Sequence, residues 1–186
     1  MKIDGEIANG IAADGLPPKW FTKDPDKIFR EEINEMIDVV SLACETARTA
    51  PPAPTVFDLW HRVYDSQQRW AQMKEIYPPL LWAFGLTLVE RAMIDAFCRV
   101  KGVTFAEAVR RNLLGIRPGA IYDELEGVEP ADLLPVEPVR ELAVRHTVGL
   151  ADPLNESDIF DEDRLDDELP QALDDNIRQY GLTHFK

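Results

Sequence analysis

The sequence has few cysteines and comparatively few cations. Its two cysteines, Cys44 and Cys98, stand in helical patterns without CxxC or Cys/His spacing, which disfavours both a disulfide framework and a structural zinc site. We predict that both are buried free thiols. Lys and Arg number 20 against 34 Asp and Glu, a formal net charge of −14. Because such a surface repels phosphate and anionic lipid, we expect neither a nucleic-acid nor a membrane partner.

Long apolar runs are also lacking. The most apolar stretch, PPLLWAFGLTLVERAMIDAFC, meets Glu90 and Arg91 before the ~20 residues that a membrane span needs. The opening MKIDGEIANGIAADG has acids and glycines where a signal peptide has its apolar core. We therefore expect a cytoplasmic protein in which the apolar stretch forms a buried helix.

Helical patterns occupy the first two thirds of the chain. A short hairpin is predicted in KIDGEIANGIAADG, followed by a proline-bounded loop that carries Trp20 and Phe21. One helix is predicted to begin at Asp24 with Pro25 in its first turn, and a second to begin after Thr55. A third, nearly apolar helix covers 79–100 and ends at Gly102, and Thr104 caps a short fourth helix that ends at Gly115.

The pattern changes in the last third. ELAVRHTVGL alternates as a strand does, an amphipathic helix follows through Leu173, Ile177 and Tyr180, and LTHFK predicts another strand. Strand, helix and strand in this order predict a βαβ unit of a parallel sheet. The acidic run between 158 and 168 lacks the mid-loop glycine of an EF-hand, so we interpret it as a solvated face.

Three stretches follow one another along the chain: GLTLVERAMIDAFCRVKGVTFAEAVRRNLLGI, VRHTVGLADPL and GLTHFK. Together they resemble the enolase superfamily, in its mandelate racemase and muconate-lactonizing enzyme branch. The first stretch resembles the helix pair of the capping domain in that family, the second its first barrel strand, and the third its second barrel strand. The positions that match the capping-domain pattern are Glu90, Ala92, Asp95, Gly102, Leu113, Leu114 and Gly115. The resemblance implies an α+β fold: a mainly helical capping domain with a vestigial N-terminal hairpin in 1–116, a connector in 117–138, and the first βαβ unit of an incomplete (β/α)8 barrel in 139–186.

The resemblance also implies a chemistry. Members of this family abstract a proton α to the carboxylate of a small substrate and stabilise the enediolate with Mg²⁺, acting as racemases, acid-sugar dehydratases or cycloisomerases. The second barrel strand carries a Lys-x-Lys motif, of which Lys186 matches the first lysine; the second would lie two residues further on, and the acidic Mg²⁺ ligands lie on later strands. The capping domain of the family also opens with a longer three-stranded meander. We therefore expect an N-terminal portion of such an enzyme, inactive alone and with no metal bound to this chain.

The candidate site residues follow from the same comparison. Lys186 is the candidate catalytic residue, although at a chain end it would be an ordinary exposed lysine. Trp20 and Phe21 are candidate substrate-binding residues on a lid loop, and the alternative is that Trp20 anchors the loop to the helices. His146 and Thr147, at the end of the first barrel strand, are further candidates, and the alternative for His146 is a hydrogen bond to backbone. Glu90 and Asp95 suggest a carboxylate pair, which competes with an Arg91–Asp95 ion pair.

A second class of function stays open. The chain can instead be a non-enzymatic helical interaction module that binds a partner through the apolar edge of its strands. Exposed strand edges of this kind also favour an oligomer.

Overall fold

The structure is a computed structural model that describes residues 1–74 and 77–186. The chain is mainly helical with two small two-stranded sheets, and it divides into two compact units, Met1–Leu134 (unit 1) and Pro135–Lys186 (unit 2). In the described part of the chain, no helix combines the length and the apolar character needed to cross a membrane.

Unit 1 begins with the predicted hairpin. Strands β1 (Lys2–Ile3) and β2 (Glu6–Ile7) pair antiparallel, with Lys2 opposite Ile7 and Ile3 opposite Glu6. Asp4 and Gly5 connect them with φ values of 48° and 95°, the left-handed conformation that a two-residue hairpin turn requires. The buried Ile3 side chain attaches the hairpin to the core.

Five α-helices follow in the described part of unit 1: α1 (Pro18–Phe21), α2 (Phe29–Thr49), α3 (Val56–Lys74), α4 (Pro79–Lys101) and α5 (Phe105–Arg110). Three short 3-10 helices come after α5: Pro118–Ala120, Asp123–Leu125 and Pro130–Leu133. The caps predicted at Thr55 and Thr104 are present. Thr55 Oγ1 accepts from the Asp58 N–H at 3.0 Å, and Thr104 accepts from the Glu107 N–H. Gly102, with φ 62°, ends α4. The fourth predicted helix is shorter than expected, since α5 ends at Arg110 and Asn112 has a positive φ of 47°.

The prediction for the start of α2 is wrong. The helix begins at Phe29, because Asp24 serves a local turn in which its Oδ1 accepts from the Asp26 N–H at 3.0 Å. The buried face of α2 consists of Glu32, Met36, Val39 and Ala43 and does not include Cys44. Cys44 is consequently exposed rather than buried, whereas Cys98 is half-buried and burial raises its pKa.

The core of unit 1 forms where α2, α3 and α4 pack together. A Cβ atom at Gly85 of α4 would lie 2.2 Å from the Val39 carbonyl oxygen of α2, so the two helices approach more closely than a larger residue allows. The buried Gln67 of α3 links α2 and α4, because its Nε2 donates to the carbonyl oxygens of Val39 at 2.8 Å and Trp82 at 3.2 Å.

The chain after the hairpin lies along α4. A Cβ atom at Gly10 would fall 1.8 Å from the Ala92 carbonyl oxygen, and the Ile11 N–H donates to Asp95 Oδ2 at 2.9 Å. Arg91 pairs with Asp14 at 2.8 Å, so the predicted Arg91–Asp95 pair does not form. Asp95 pairs with Arg99 instead; the Ile11 N–H and the Arg99 guanidinium together lower the pKa of Asp95.

Unit 2 contains the βαβ arrangement. Strand β3 (Arg145–His146), helix α6 (Leu173–Tyr180) and strand β4 (His184–Phe185) follow in order, and β3 and β4 pair parallel. The first strand is much shorter than the alternating ELAVRHTVGL segment predicts, and Leu142 and Val144 are exposed. The acidic segment forms two 3-10 turns, Glu156–Asp158 and Asp161–Asp163, with exposed carboxylates, as expected for a solvated face.

Candidate functional site

Lys186 and Thr147 are neighbours at one edge of the parallel sheet of unit 2. The Lys186 N–H donates to the His146 carbonyl oxygen at 2.9 Å, and the Val148 N–H donates to the Lys186 carbonyl oxygen at 3.0 Å. These two bonds continue the parallel ladder and place Lys186 opposite Thr147. The carboxyl ends of β3 and β4 thus meet at the same edge, which is where parallel α/β folds place their sites.

The three candidates of unit 2 divide between the two faces of this sheet. Because successive residues of a strand point to opposite faces, Thr147 and Lys186 share one face, and His146 and Phe185 share the other. The rings of His146 and Phe185 meet edge to face, with centroids 6.5 Å apart. The His146 carbonyl oxygen accepts a hydrogen bond from the Lys186 N–H. The His146 imidazole, however, does not lie on the face that carries Thr147 and Lys186.

The two aromatic candidates of unit 1 have different surroundings. Phe21, at the end of α1, packs against Phe84 of α4 with ring centroids 5.0 Å apart. Trp20 is 70% exposed. The interpretation of Trp20 as the anchor is therefore wrong, since Phe21 attaches the loop to the helices and Trp20 projects from it.

Two lysine–glutamate pairs hold this loop to α2. Lys19 donates to Glu32 Oε1 at 2.9 Å and to the Asp24 carbonyl oxygen at 3.1 Å, and Lys27 pairs with Glu35. Glu32 is only 1% exposed, and its Oε2 has no hydrogen-bond partner among the described residues. The sequence interpretation missed this buried carboxylate. Its spacing from Met36 and Val39, four and seven residues away, would have placed it on the buried face.

Glu90, one of the two carboxylates noted in the sequence, is half-buried between α4 and α3. Burial raises the pKa of Glu90, and the nearby Trp60 indole N–H and Arg91 charge offset part of this effect. The Trp60 N–H falls short of hydrogen-bonding geometry. Asp95 is held by Ile11 and Arg99, so Glu90 and Asp95 are engaged separately and do not form a carboxylate pair.

Unit 1 has a groove of about 1390 Å³, hereafter the β1 groove. It lies beside the hairpin, over α4 and the C-terminal half of α2. Its apolar lining includes Ile3, Val40, Ala47, Leu88, Ala92, Met93, Ala96 and Phe97, and its charged lining consists of Lys2, Asp4, Arg48, Lys101 and Arg111.

The resemblance implies a Mg²⁺ ion bound by acidic side chains. Within 1–74 and 77–186, no three His, Cys, Asp or Glu side chains are placed to hold one metal ion together. The residues described thus do not fit a Mg²⁺ site, and no reaction step through the ion follows from them. No family model, curated protein or solved structure matches the chain.

Proposed function

We propose that this chain corresponds to the capping domain and first βαβ unit of a Mg²⁺-dependent enzyme of the enolase superfamily, which abstracts a proton α to the carboxylate of a small substrate. The observation that carries the proposal is the juxtaposition of Thr147 and Lys186 on one face, at the carboxyl edge of a parallel strand pair that follows a helical domain. Barrel enzymes draw their catalytic groups from this edge.

Within this proposal the candidate residues have separate roles. Lys186 is the first lysine of the Lys-x-Lys motif, and Thr147 lies beside it on the same face. Trp20, exposed on a loop that Phe21 and Lys19 hold in place, contacts substrate in the complete enzyme. Phe21 keeps the loop attached rather than binding substrate, and His146 faces away from Lys186.

The proposal is tested by the DNA that follows the codon of Lys186. We expect a reading frame, direct or restored by a frameshift, that encodes one residue, a lysine and then βα units with Asp or Glu at strand ends. A stop codon followed by an unrelated gene would contradict the proposal.

A second test uses the 186-residue chain itself. Incubated with Mg²⁺ and acid-sugar or α-hydroxy carboxylates in D₂O, it should exchange no α-proton by NMR, because the ligands for the ion are proposed to lie on later strands. Mg²⁺-dependent exchange by this chain would show that the assignment of the metal ligands is wrong.

A non-enzymatic interaction module is the second candidate function. It is favoured by the large apolar side chains that unit 2 exposes, among them Leu142, Leu150, Phe160 and Leu165. The reading frame beyond Lys186 distinguishes the two candidates, since only the enzyme requires further βα units.

A further inference from the structure

We propose that Glu32 is a positioning residue for Trp20. Acting through Lys19, it keeps the loop of residues 17–28 docked on α2. Trp20 is then a fixed wall of the substrate site and not part of a lid that opens and closes. The contact between Trp20 and substrate rests on the proposed function. The docking of the loop does not, because it depends on contacts within unit 1 alone.

Buried side chains attach the loop on both sides of Trp20. Pro18 and Thr22 are buried, and Phe21 packs against the Phe84 ring with centroids 5.0 Å apart. Trp20 is exposed between these neighbours. Opening of the loop would transfer the apolar surface of Pro18 and Phe21 to water, which is unfavourable.

The buried carboxylate of Glu32 opposes opening more strongly. Its side chain is completely buried, and Lys19 Nζ lies 2.9 Å from its Oε1. Among the described residues, Lys19 is the one cation paired with Glu32. If the loop left α2, Lys19 would leave with it, and Glu32 would become a buried charge without a partner. The carboxylate on α2 therefore determines where the loop rests.

The same ammonium group also joins two parts of the loop. Lys19 Nζ donates to the Asp24 carbonyl oxygen at 3.1 Å, five residues further along the chain. Near the end of the loop, Lys27 pairs with Glu35, which lies one helical turn after Glu32 on α2. The loop is thus held at its beginning, its middle and its end, and the segments between these points are short.

A fixed Trp20 changes how the site would choose its substrate. A mobile lid closes around the bound substrate and excludes water from it. A side chain that is held in place before the substrate arrives accepts those substrates whose shape fits beside it. Glu32 thus affects specificity through Lys19 and Trp20 without contacting substrate itself.

The test is amide hydrogen exchange on the full chain, resolved to single residues by NMR. The Trp20 N–H donates to the Pro17 carbonyl oxygen at 3.1 Å and the Thr22 N–H to that of Pro18 at 2.8 Å, so both amides report on the docked loop. In the wild type, we expect both to exchange at least about a hundredfold more slowly than in an unfolded chain. A loop that opens freely would exchange both at close to the unfolded rate.

The double variant Lys19→Met/Glu32→Gln separates docking from overall stability, because it removes the ion pair and leaves no buried charge. It should accelerate exchange of the Trp20 and Thr22 amides by about tenfold or more, while the amides of α4 keep their wild-type rates. Lys19→Arg retains the positive charge and should keep the two loop amides protected. Lys23→Met is the matched control at an exposed lysine of the same loop and should change neither rate.

Four results would overturn the proposal. They are unprotected loop amides in the wild type, wild-type protection in the double variant, equal acceleration in the loop and in α4, and an equal effect of Lys23→Met. The third result would show that the pair contributes to overall stability and does not position the loop. All four are read from the chain itself, whereas the proposed function is tested by the reading frame beyond Lys186, so failure of one is distinguishable from failure of the other.

Discussion

At the scale of single residues, Glu90 is the clearest case of a side chain whose environment opposes its charge. Burial raises its pKa in the folded state above the value in the unfolded chain. The protonated form therefore favours folding, and this contribution is lost as the pH rises through the folded pKa. At neutral pH the ionised carboxylate costs stability.

We expect Glu90→Gln to raise the unfolding free energy at pH 7–8, by no more than about 1 kcal/mol because the carboxyl is partly solvated. The glutamine keeps the size of the side chain and a carbonyl oxygen near the Trp60 indole N–H. Urea denaturation at several pH values checks this: the gain should shrink as the pH falls and the wild-type carboxyl becomes protonated. The exposed Glu124→Gln is the control. A gain at pH 4 as large as that at pH 8 would contradict the explanation.

Lys19 and Glu32 form the interaction that fixes α1, the element that carries Trp20. The Glu32 side chain is completely buried, whereas that of Lys19 is more than half exposed. Removal of one partner therefore has a different effect from removal of the other. Without Glu32, Lys19 would be solvated, whereas without Lys19, Glu32 would be a buried, uncompensated charge.

A double-mutant cycle tests this asymmetry. Lys19→Met should lower the unfolding free energy by about 1–3 kcal/mol, and adding Glu32→Gln should recover most of that loss. Thermal and urea denaturation measure the stability of each variant. Lys23→Met, at an exposed lysine in the same loop, should change little. Additive effects of the two substitutions would show that the pair does not act as a unit.

At the scale of elements, the sequence predicted the helix bounds and strand pairings that depend on signals within a few residues. Helix α4 begins at Pro79 and ends before Gly102 as expected, because a proline in the first turn and a left-handed glycine act within a few residues. The parallel partnership of β3 and β4 also followed from the order of strand, helix and strand. That order placed Thr147 and Lys186 at one edge.

Features that depend on distant partners were not predictable. Asp24 and Pro25 match the usual sequence pattern for the start of a helix. In the structure, however, the Asp24 side chain accepts a hydrogen bond within a local turn, and the Lys19 ammonium donates to the Asp24 carbonyl oxygen. Arg91 has Asp95 within one helical turn yet pairs with Asp14, 77 positions away. The alternation of ELAVRHTVGL indicates a long strand, but β4 pairs with only a short part of it. No local pattern identifies these partners.

At the scale of the whole molecule, the two units differ in how much apolar surface they bury. Unit 1 has a contiguous core from the hairpin through α2, α3, α4 and Leu114. In unit 2, Ile159 and Ala172 are the buried apolar residues, although side chains such as Val136 and Phe185 are available. Unit 2 should therefore open with a smaller free energy than unit 1.

Limited proteolysis tests this difference on the intact chain. Trypsin should cut first after Arg140, Arg145 or Arg164 and leave a fragment that retains α2, α3 and α4, as identified by mass spectrometry. Thermal unfolding should show a cooperative transition for that fragment. Early cleavage within α2 or α4, at a rate equal to that in unit 2, would contradict the prediction.

The packing of Gly10–Asp14 on α4 also affects how the chain folds as it is made. The Ile11 N–H donates to Asp95 and Asp14 pairs with Arg91, so residues 10–14 rest on a helix that is synthesised about 80 residues later. Until α4 has left the ribosome, the N-terminal segment has no surface on which to dock, and α2 and α3 lack their largest partner. The nascent chain should therefore stay open through most of the synthesis of unit 1 and complete its core in one late step.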